Sequence, residues 1–273
     1  MAISTTKTVF CRENLALWDG LEFVVDGNSK ITAENGSMEE PKPNAFSLPH
    51  ISTCPGSTTV CRSSCYVHGL QKHAQETYQT YVQNERVLHR VLMSSKSSER
   101  AASILAEFIQ DTVTSFRWHV SGDIFSTRHA EWIDRVCDKA RDVTFWIYTR
   151  SFDALPYLEA DNLVVNLSAD SDNLEAARVA QREYGGRICY LSSEGETPDL
   201  PRDSVLFPDY KLRGRDLDEP TEAPWWQGLE IKTKRQVCPA DFFGQSEQHR
   251  CGPCNKCMKP WLAYPEDSVS VGP

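Results

Sequence analysis

The spacing of apolar positions gives two helical patterns in the first half of the chain. One runs from about Ser64 to Leu92. The second, from about Ser98 to Thr114, places Ile104, Leu105, Phe108 and Ile109 on one face. Beyond them the pattern alternates. FRWHVSGDIF, TFWIYTRS, NLVVNLSAD, RICYLSS and SVLFPDY are short runs rich in Val, Ile, Phe and Tyr. Between them lie HAEWIDRVCDKARD, FDALPYLE and NLEAARVAQREYG, which carry helical spacing. Strands alternating with helices predict βαβ units and a largely parallel sheet. The units are too few for a closed eight-stranded barrel. The expected fold is α/β, a partial (β/α) barrel, while a doubly wound sheet would give the same string of elements.

Three regions follow from the same pattern. Residues 1–45 hold one alternating stretch, LEFVVDG, then the polar NSKITAENGSMEEPKPN, and read as an N-terminal extension. Residues 46–220 form the barrel, opening with the short strand NAFSLPHI. Residues 221–273 read as a small C-terminal cysteine-rich metal-binding module, joined through the Pro- and Gly-containing KLRGRDLDEPTEAPWWQG. Trp225, Trp226, Trp261 and Tyr264 are expected to pack that module on the barrel, since so small a segment builds no core of its own. Lys232, Lys234 and Arg235 read as a solvated basic run, and YPEDSVSVGP as a loose tail.

Composition narrows the function classes. With 40% hydrophobic and 25% charged residues, the 273-residue chain has the make-up of a soluble globular protein. No apolar run approaches the roughly 18 residues of a membrane span. The first residues, MAISTTKTVFCRENLALW, lack the pattern of a signal peptide, so the cytoplasm is the expected location. A net charge of −9 disfavours binding to a phosphate backbone.

Cysteine changes the picture most. In a chain without an export signal, ten cysteines point to metal or redox ligands more than to disulfides. Seven fall in two groups. Cys54, Cys61 and Cys65 occupy one polar loop, CPGSTTVCRSSCY, after the first strand of the alternating region. Three thiolates would hold an iron–sulfur cubane with one iron left open. A zinc loop completed by His68 would use the same spacing. Cys238, Cys251, Cys254 and Cys257 form the second group. Their overlapping two-residue gaps suit a saturated cubane, and a four-cysteine zinc ribbon is the alternative. Cys11, Cys137 and Cys189 are scattered.

Polar residues at the strand ends complete the candidate site. Gly122 permits an unusual backbone angle or close ligand approach, and Asp123 offers an acceptor for an ammonium group; a turn capped by Asp123, Ser126 or Thr127 is the plainer reading. Strand alternation puts His119 on the face of Ser121 and Asp123, where it would donate to a substrate or simply pack. Tyr148 and Arg150, and after them Asn166 and Ser168, end the next two strands as pocket groups, though Arg150 also reads as one half of a surface ion pair.

A strand, a three-cysteine loop followed by Tyr66 and a helix, and a second strand ending in Ser121-Gly122-Asp123 resemble the core of radical SAM enzymes, with a wider cysteine spacing than that superfamily's usual one. The resemblance implies a [4Fe-4S] cluster on Cys54, Cys61 and Cys65, and S-adenosylmethionine (SAM) held through Ser121, Gly122 and Asp123. It also implies reductive cleavage of SAM to start radical chemistry, an electron donor protein, and an auxiliary second cluster. CPGSTTVC, CRSSCY, FRWHVSGDIFS, FWIYTRS and CGPCNKC are similar, more specifically, to the phage gene product 88 family over residues 45 to 260. A phage origin would make the host cytoplasm the location. Two other functions fit the residues: a zinc-stabilised binding module, and an iron–sulfur protein of the same fold without catalysis. No motif names the substrate.

Overall fold

In a computed structural model, the chain is described for residues 11–27, 42–212, 214, 217–244 and 251–260. Eight strands form one sheet: β1 (Arg12–Ala16), β2 (Glu22–Asp26), β3 (Ala45–Phe46), β4 (Ser115–Trp118), β5 (Thr144–Thr149), β6 (Leu163–Ala169), β7 (Arg187–Ser192) and β8 (Val205–Pro208). Their order in the sheet is their order in the chain. β1, β2 and β3 pair antiparallel, and β3 to β8 are all parallel. The helices are α1 (Thr59–Ser63), α2 (Val67–His73), α3 (Gln75–Val91), α4 (Ser95–Thr112), α5 (Thr127–Lys139) and α6 (Leu174–Tyr184). Four short ones follow: α7 (Pro224–Gly228), α8 (Ile231–Lys234), α9 (Pro239–Phe242) and α10 (Cys251–Cys254).

Alternation along the strands separates two environments. Phe116, Trp118, Phe145, Ile147, Leu167 and Ile188 point to one face, where they meet the buried sides of α3 to α6. Trp118 stacks on Phe145 at 6.1 Å and meets Trp132 of α5 edge-on at 5.7 Å. Each such side chain contributes about 1.5–3 kcal/mol by leaving water. The opposite face carries Arg117, Trp146, Tyr148, Asn166, Arg187 and Cys189. Here Cys251 and Met258 pack on Trp146, Val164 and Tyr148. With α3 to α6 on a single face and a strand order that never reverses, the sheet has no topological switch point. That rules out the doubly wound alternative.

Several boundaries differ from the pattern reading. The stretch assigned to an N-terminal extension supplies the hairpin β1–β2, and Phe23 and Val25 are fully buried in the main core. Asn84 of α3 explains how it docks. Its amide accepts from Val24 N at 2.8 Å and donates to Val24 O and Ser47 O at 2.9 and 3.0 Å, satisfying backbone groups where β2 and β3 pair at one residue alone. The predicted helix from Ser64 is two helices, because Ala74 leaves helical geometry at φ −138°. The predicted strand FRWHVSGDIF ends at Trp118, since His119 turns to φ +57°.

Residues 221–244 do not stand apart either. Ala223, Val237 and Phe242 share a core cluster with Ile188 and Tyr190, and Trp225 and Trp226 pack against it. Trp225 Nε1 donates to Gly195 O at 3.1 Å. Lys232 pairs with Asp199 at 2.9 Å, and Lys234 lies 5.6 Å over Trp226. Trp261, Tyr264 and the tail lie outside the described residues.

Asp26, at the end of β2, is buried and receives Ser47 Oγ at 3.2 Å and Tyr81 Oη at 3.3 Å. Burial pushes its carboxyl up to about 7, against those hydrogen bonds. A carboxyl raised above its unfolded value favours the folded state while protonated. Stability therefore falls as pH rises from about 4 to about 7, by at most about 1.4 kcal/mol per pH unit. Urea denaturation across this window should show the fall, and Asp26→Asn should flatten it; an unchanged slope in the variant would place the dependence elsewhere.

Candidate functional site

The carboxyl ends of β3 to β8 surround a cavity of about 900 Å³, within the range of small-molecule sites. Cys54, Cys61 and Cys65 line one side of it, and Cys238, Cys251, Cys254 and Cys257 also line it. Two cysteine groups far apart in sequence thus face one space. All ten cysteines are free thiols.

The first group is latched to the sheet through Arg150. Gly56 lies so close to the end of β5 that a Cβ there would stand 2.2 Å from Arg150 O, so the loop requires glycine. Thr58 caps α1 by accepting from Cys61 N at 2.9 Å, and its hydroxyl donates to Asp170 Oδ2 at 2.6 Å. That carboxylate pairs with Arg150 Nη2 at 3.0 Å. Both side chains are buried, so this is not a surface pair. Arg150 Nη1 donates to Ser168 O at 2.9 Å, and Arg150 N to Asp123 Oδ2 at 2.8 Å.

Asp123 completes the network. Its Oδ1 accepts from Thr149 Oγ1 and from Ile124 N, each at 2.7 Å. Burial raises its pKa, and the hydrogen bonds from Arg150, Thr149 and Ile124 oppose the rise. Three of about four acceptor sites are therefore filled by the chain itself. Ser126, not Asp123 or Thr127, caps α5, accepting from His129 N at 3.2 Å. Gly122 has φ +83°, and a Cβ there would stand 2.6 Å from Leu48 Cβ and 2.7 Å from Thr53 Oγ1. Its lack of a side chain serves the approach of the chain's own 48–53 segment.

Other candidates divide. His119, Ser121, Tyr148 and Ser168 line the cavity. β4 ends before His119, and at φ +57° its ring packs against Phe46, Trp118 and His129 on the helix side instead of following Arg117. Burial pushes His119 down to about 3, so it is neutral. Asn166 is turned to a different task. Its amide donates to Ile147 O and Cys257 O at 3.2 and 3.0 Å and accepts from Arg187 at 3.2 Å, fixing the C-terminal cysteine segment on the sheet.

The thiols themselves are unequal. Burial, then the charges of Asp123, Cys61 and Cys65, push Cys54 up to about 12. Cys257 is pushed down to about 6 by the neighbouring Cys189 thiol first, against burial, with Tyr148, Arg187 and Lys256 also lowering it; the Cys189 thiol itself donates to Asn166 Oδ1 at 3.8 Å. Cys189, scattered in the sequence, is thus a buried thiol on the cavity wall beside Cys257. Its position opposite Ile188 and Tyr190 in the alternation of RICYLSS was the available signal. Cys254 is exposed. His68 does not complete a zinc tetrahedron with Cys61 and Cys65 in this arrangement: its Nδ1 bonds His50 Nε2 at 3.0 Å and its Nε2 contacts Arg62 O at 2.9 Å. Among the described residues, no three His, Cys, Asp or Glu side chains converge as ligands of a single ion.

The sequence model of the family described as Gene product 88 matches residues 22–260. The chain belongs to the Gene product 88 family. The Gene 88 protein of Mycobacterium phage D29 is 30% identical over 203 residues, covering 70% of this chain and 79% of the relative. The Gene 88 protein of Mycobacterium phage L5 is 30% identical over 175 residues, covering 61% of this chain and 70% of the relative. Both Gene product 88 relatives are phage proteins, in keeping with the expected phage origin. The family match spans both cysteine groups and the Ser121-Gly122-Asp123 turn. No solved structure matches the chain. No helix among the described residues is long and apolar enough to cross a membrane.

Removing one partner of a buried ion pair costs about 3–5 kcal/mol, because the other charge is left unpaired. Arg150→Met should lose that much in chemical denaturation and make Cys54 react faster with a thiol reagent. Arg150→Met with Asp170→Leu should regain stability but not the protection of Cys54, since Thr58 then has no anchor. If Cys54 stays protected in both, the loop is held by other contacts.

Proposed function

We propose that this cavity is the active site of an iron–sulfur protein with radical SAM-like chemistry, acting on a small or macromolecular substrate. What carries the reading is the convergence of three loop thiols, the Asp123 turn and a second thiol group on one cavity at the carboxyl edge of parallel strands. The sequential strand order, with helices on one face and the cavity on the other, supports an open, partial barrel.

The donor set fits an iron–sulfur cluster. Thiolates are soft ligands that select iron–sulfur, zinc or copper(I). A single ion needs its ligands to converge on one point. A cubane bonds each thiolate to a different iron, so its ligands surround a volume instead. Cys54, Cys61 and Cys65 would hold one cluster, leaving an iron open. Cys251, Cys254 and Cys257 with Cys238 would hold an auxiliary one. When bound, the first cluster supplies the electron that cleaves the sulfonium of SAM, drawn from an electron donor protein.

The remaining roles belong to the chain's own groups. Asp123, with one acceptor site left on Oδ2, would accept from the ammonium group of SAM, and Ser121 Oγ, unpartnered two residues before it, would add a hydrogen bond. Arg150 holds Asp123 and the cysteine loop in register, so it positions the site rather than touching a ligand. Tyr148 and Ser168 border the substrate space. The wider spacing of the loop cysteines is taken up by α1, which lies between Cys54 and Cys65.

Anaerobic reconstitution should give iron and acid-labile sulfide for two [4Fe-4S] clusters per chain. Stoichiometric zinc without sulfide would instead support the zinc-stabilised binding module. In electron paramagnetic resonance of the reduced protein, SAM should perturb the spectrum. Replacing Cys54, Cys61 and Cys65 with Ala should abolish that response while a C-terminal cluster signal remains. Clusters that form but ignore SAM would point to the non-catalytic iron–sulfur protein. Asp123→Asn, which keeps most of the turn's geometry, should weaken SAM binding by about tenfold, the loss of one charge-assisted hydrogen bond. Calorimetry on the reconstituted protein reads this directly, and unchanged affinity removes Asp123 from the ligand.

A further inference from the structure

Arg117, His119 and Ser121 follow one another at alternate positions through and beyond β4, and all three line the cavity. Each holds a buried polar atom without a hydrogen-bond partner: Arg117 Nε, both ring nitrogens of His119, and Ser121 Oγ. His119 and Ser121 are only 2% and 3% exposed. Folded proteins satisfy buried polar groups almost without exception, because an unmade hydrogen bond forfeits the water it replaced. The His119 ring turns to the α5 side, whereas Arg117 and Ser121 border the cavity, and their two open atoms mark a place where a ligand supplies the partners.

The wall has a definite charge and shape. Arg117 sits with its guanidinium carbon 4.9 Å over the Tyr148 ring, which fixes the plane of its donors. The neighbouring arginines on this face are already paired, Arg150 with Asp170 and Arg187 with Asp203. No carboxylate among the described residues pairs with Arg117. His119 is wedged between Phe46, Trp118 and His129, with ring centroids 5.0–6.5 Å away. A non-glycine residue at φ +57° is held there by its surroundings, and strain of this kind gathers at ligand sites. Being neutral, its imidazole offers one donor and one acceptor.

We infer that Arg117 and Ser121, with the buried His119 packed behind them, form a binding site for the oxyanion end, carboxylate or phosphate, of a small polar ligand. A planar guanidinium with an unpartnered Nε–H, and a hydroxyl without a partner, supply the donors that such a group takes. The site shares Ser121 with the turn assigned to SAM but needs neither cluster nor SAM to bind an anion through Arg117; its failure leaves the iron–sulfur reading standing, and the reverse holds too.

The test titrates the full chain, as purified and without SAM, with inorganic phosphate and separately with acetate at low ionic strength. Binding is followed by tryptophan fluorescence, which Trp118 and Trp146 beside the site make sensitive. One anion should bind saturably, and which one it is tells a phosphorylated from a carboxylate ligand. Arg117→Gln should weaken that binding by about tenfold to a hundredfold, and Arg117→Lys should recover part of it. If neither anion saturates, or Arg117→Gln binds as well as the unaltered protein, the inference is overturned and Arg117 serves the nearby thiols of Cys251 and Cys257. Should Arg117→Gln fail to fold, Ser121→Ala carries the test: about threefold weaker binding supports the site, and unchanged affinity overturns it.

Discussion

The guanidinium and backbone of Arg150 bind three parts of the carboxyl edge at once. Through Asp170 the side chain reaches Thr58 and the cysteine loop, and through Ser168 O it reaches the end of β6. Its N–H holds Asp123. Gly56 lets the loop lie directly against the Arg150 backbone. Burying an arginine and an aspartate is expensive in desolvation, and a well-packed apolar pair would often be as stable. What the ion pair supplies here is direction: it fixes a loop of three thiols relative to two strand ends, which apolar contacts would not do.

The sheet allows this by dividing its labour between faces. One side is a continuous aromatic and aliphatic layer under α3 to α6, which supplies the burial free energy. The other side is free to be polar, and it holds Arg117, Tyr148, Asn166, Arg187 and Cys189. Because the helices do not cover that face, the C-terminal cysteine segment does, tied down by Asn166 to Cys257 O, Arg187 to Lys259 O and Lys256 to Ser204 O. The segment that reads as a metal-binding module is therefore held to the sheet by hydrogen bonds of the protein itself.

The acidic chain thus presents a thiol-rich cavity with Arg117 on its lining. Net charge disfavours a nucleic-acid backbone, yet Arg117, which has no carboxylate partner among the described residues, favours a small anion locally. The two statements concern different length scales. Surface charge is screened within about 8 Å at physiological salt, whereas a charge inside a cavity is screened much less.

Periodicity and composition were enough for the βαβ alternation, the parallel sheet and the two cysteine groups, because burial on one face imposes a period that a single strand or helix displays by itself. The resemblance to the Gene product 88 family was equally readable from short motifs. Tertiary structure decided the rest. Strand order separated a single-wound sheet from a doubly wound one, since local periodicity carries no information on which strands become neighbours. LEFVVDG looked like part of an extension because Asn84, sixty residues away from Val24, supplies the bonds that seat it. Asn166 looked like a pocket group and proved to hold a backbone, and Cys189 looked isolated and proved to lie against Cys257. His119 left the strand, and its ring turned to Trp118 and His129 instead of following Arg117. Each of these depends on a partner distant in sequence, and so on the packing that brings the two together.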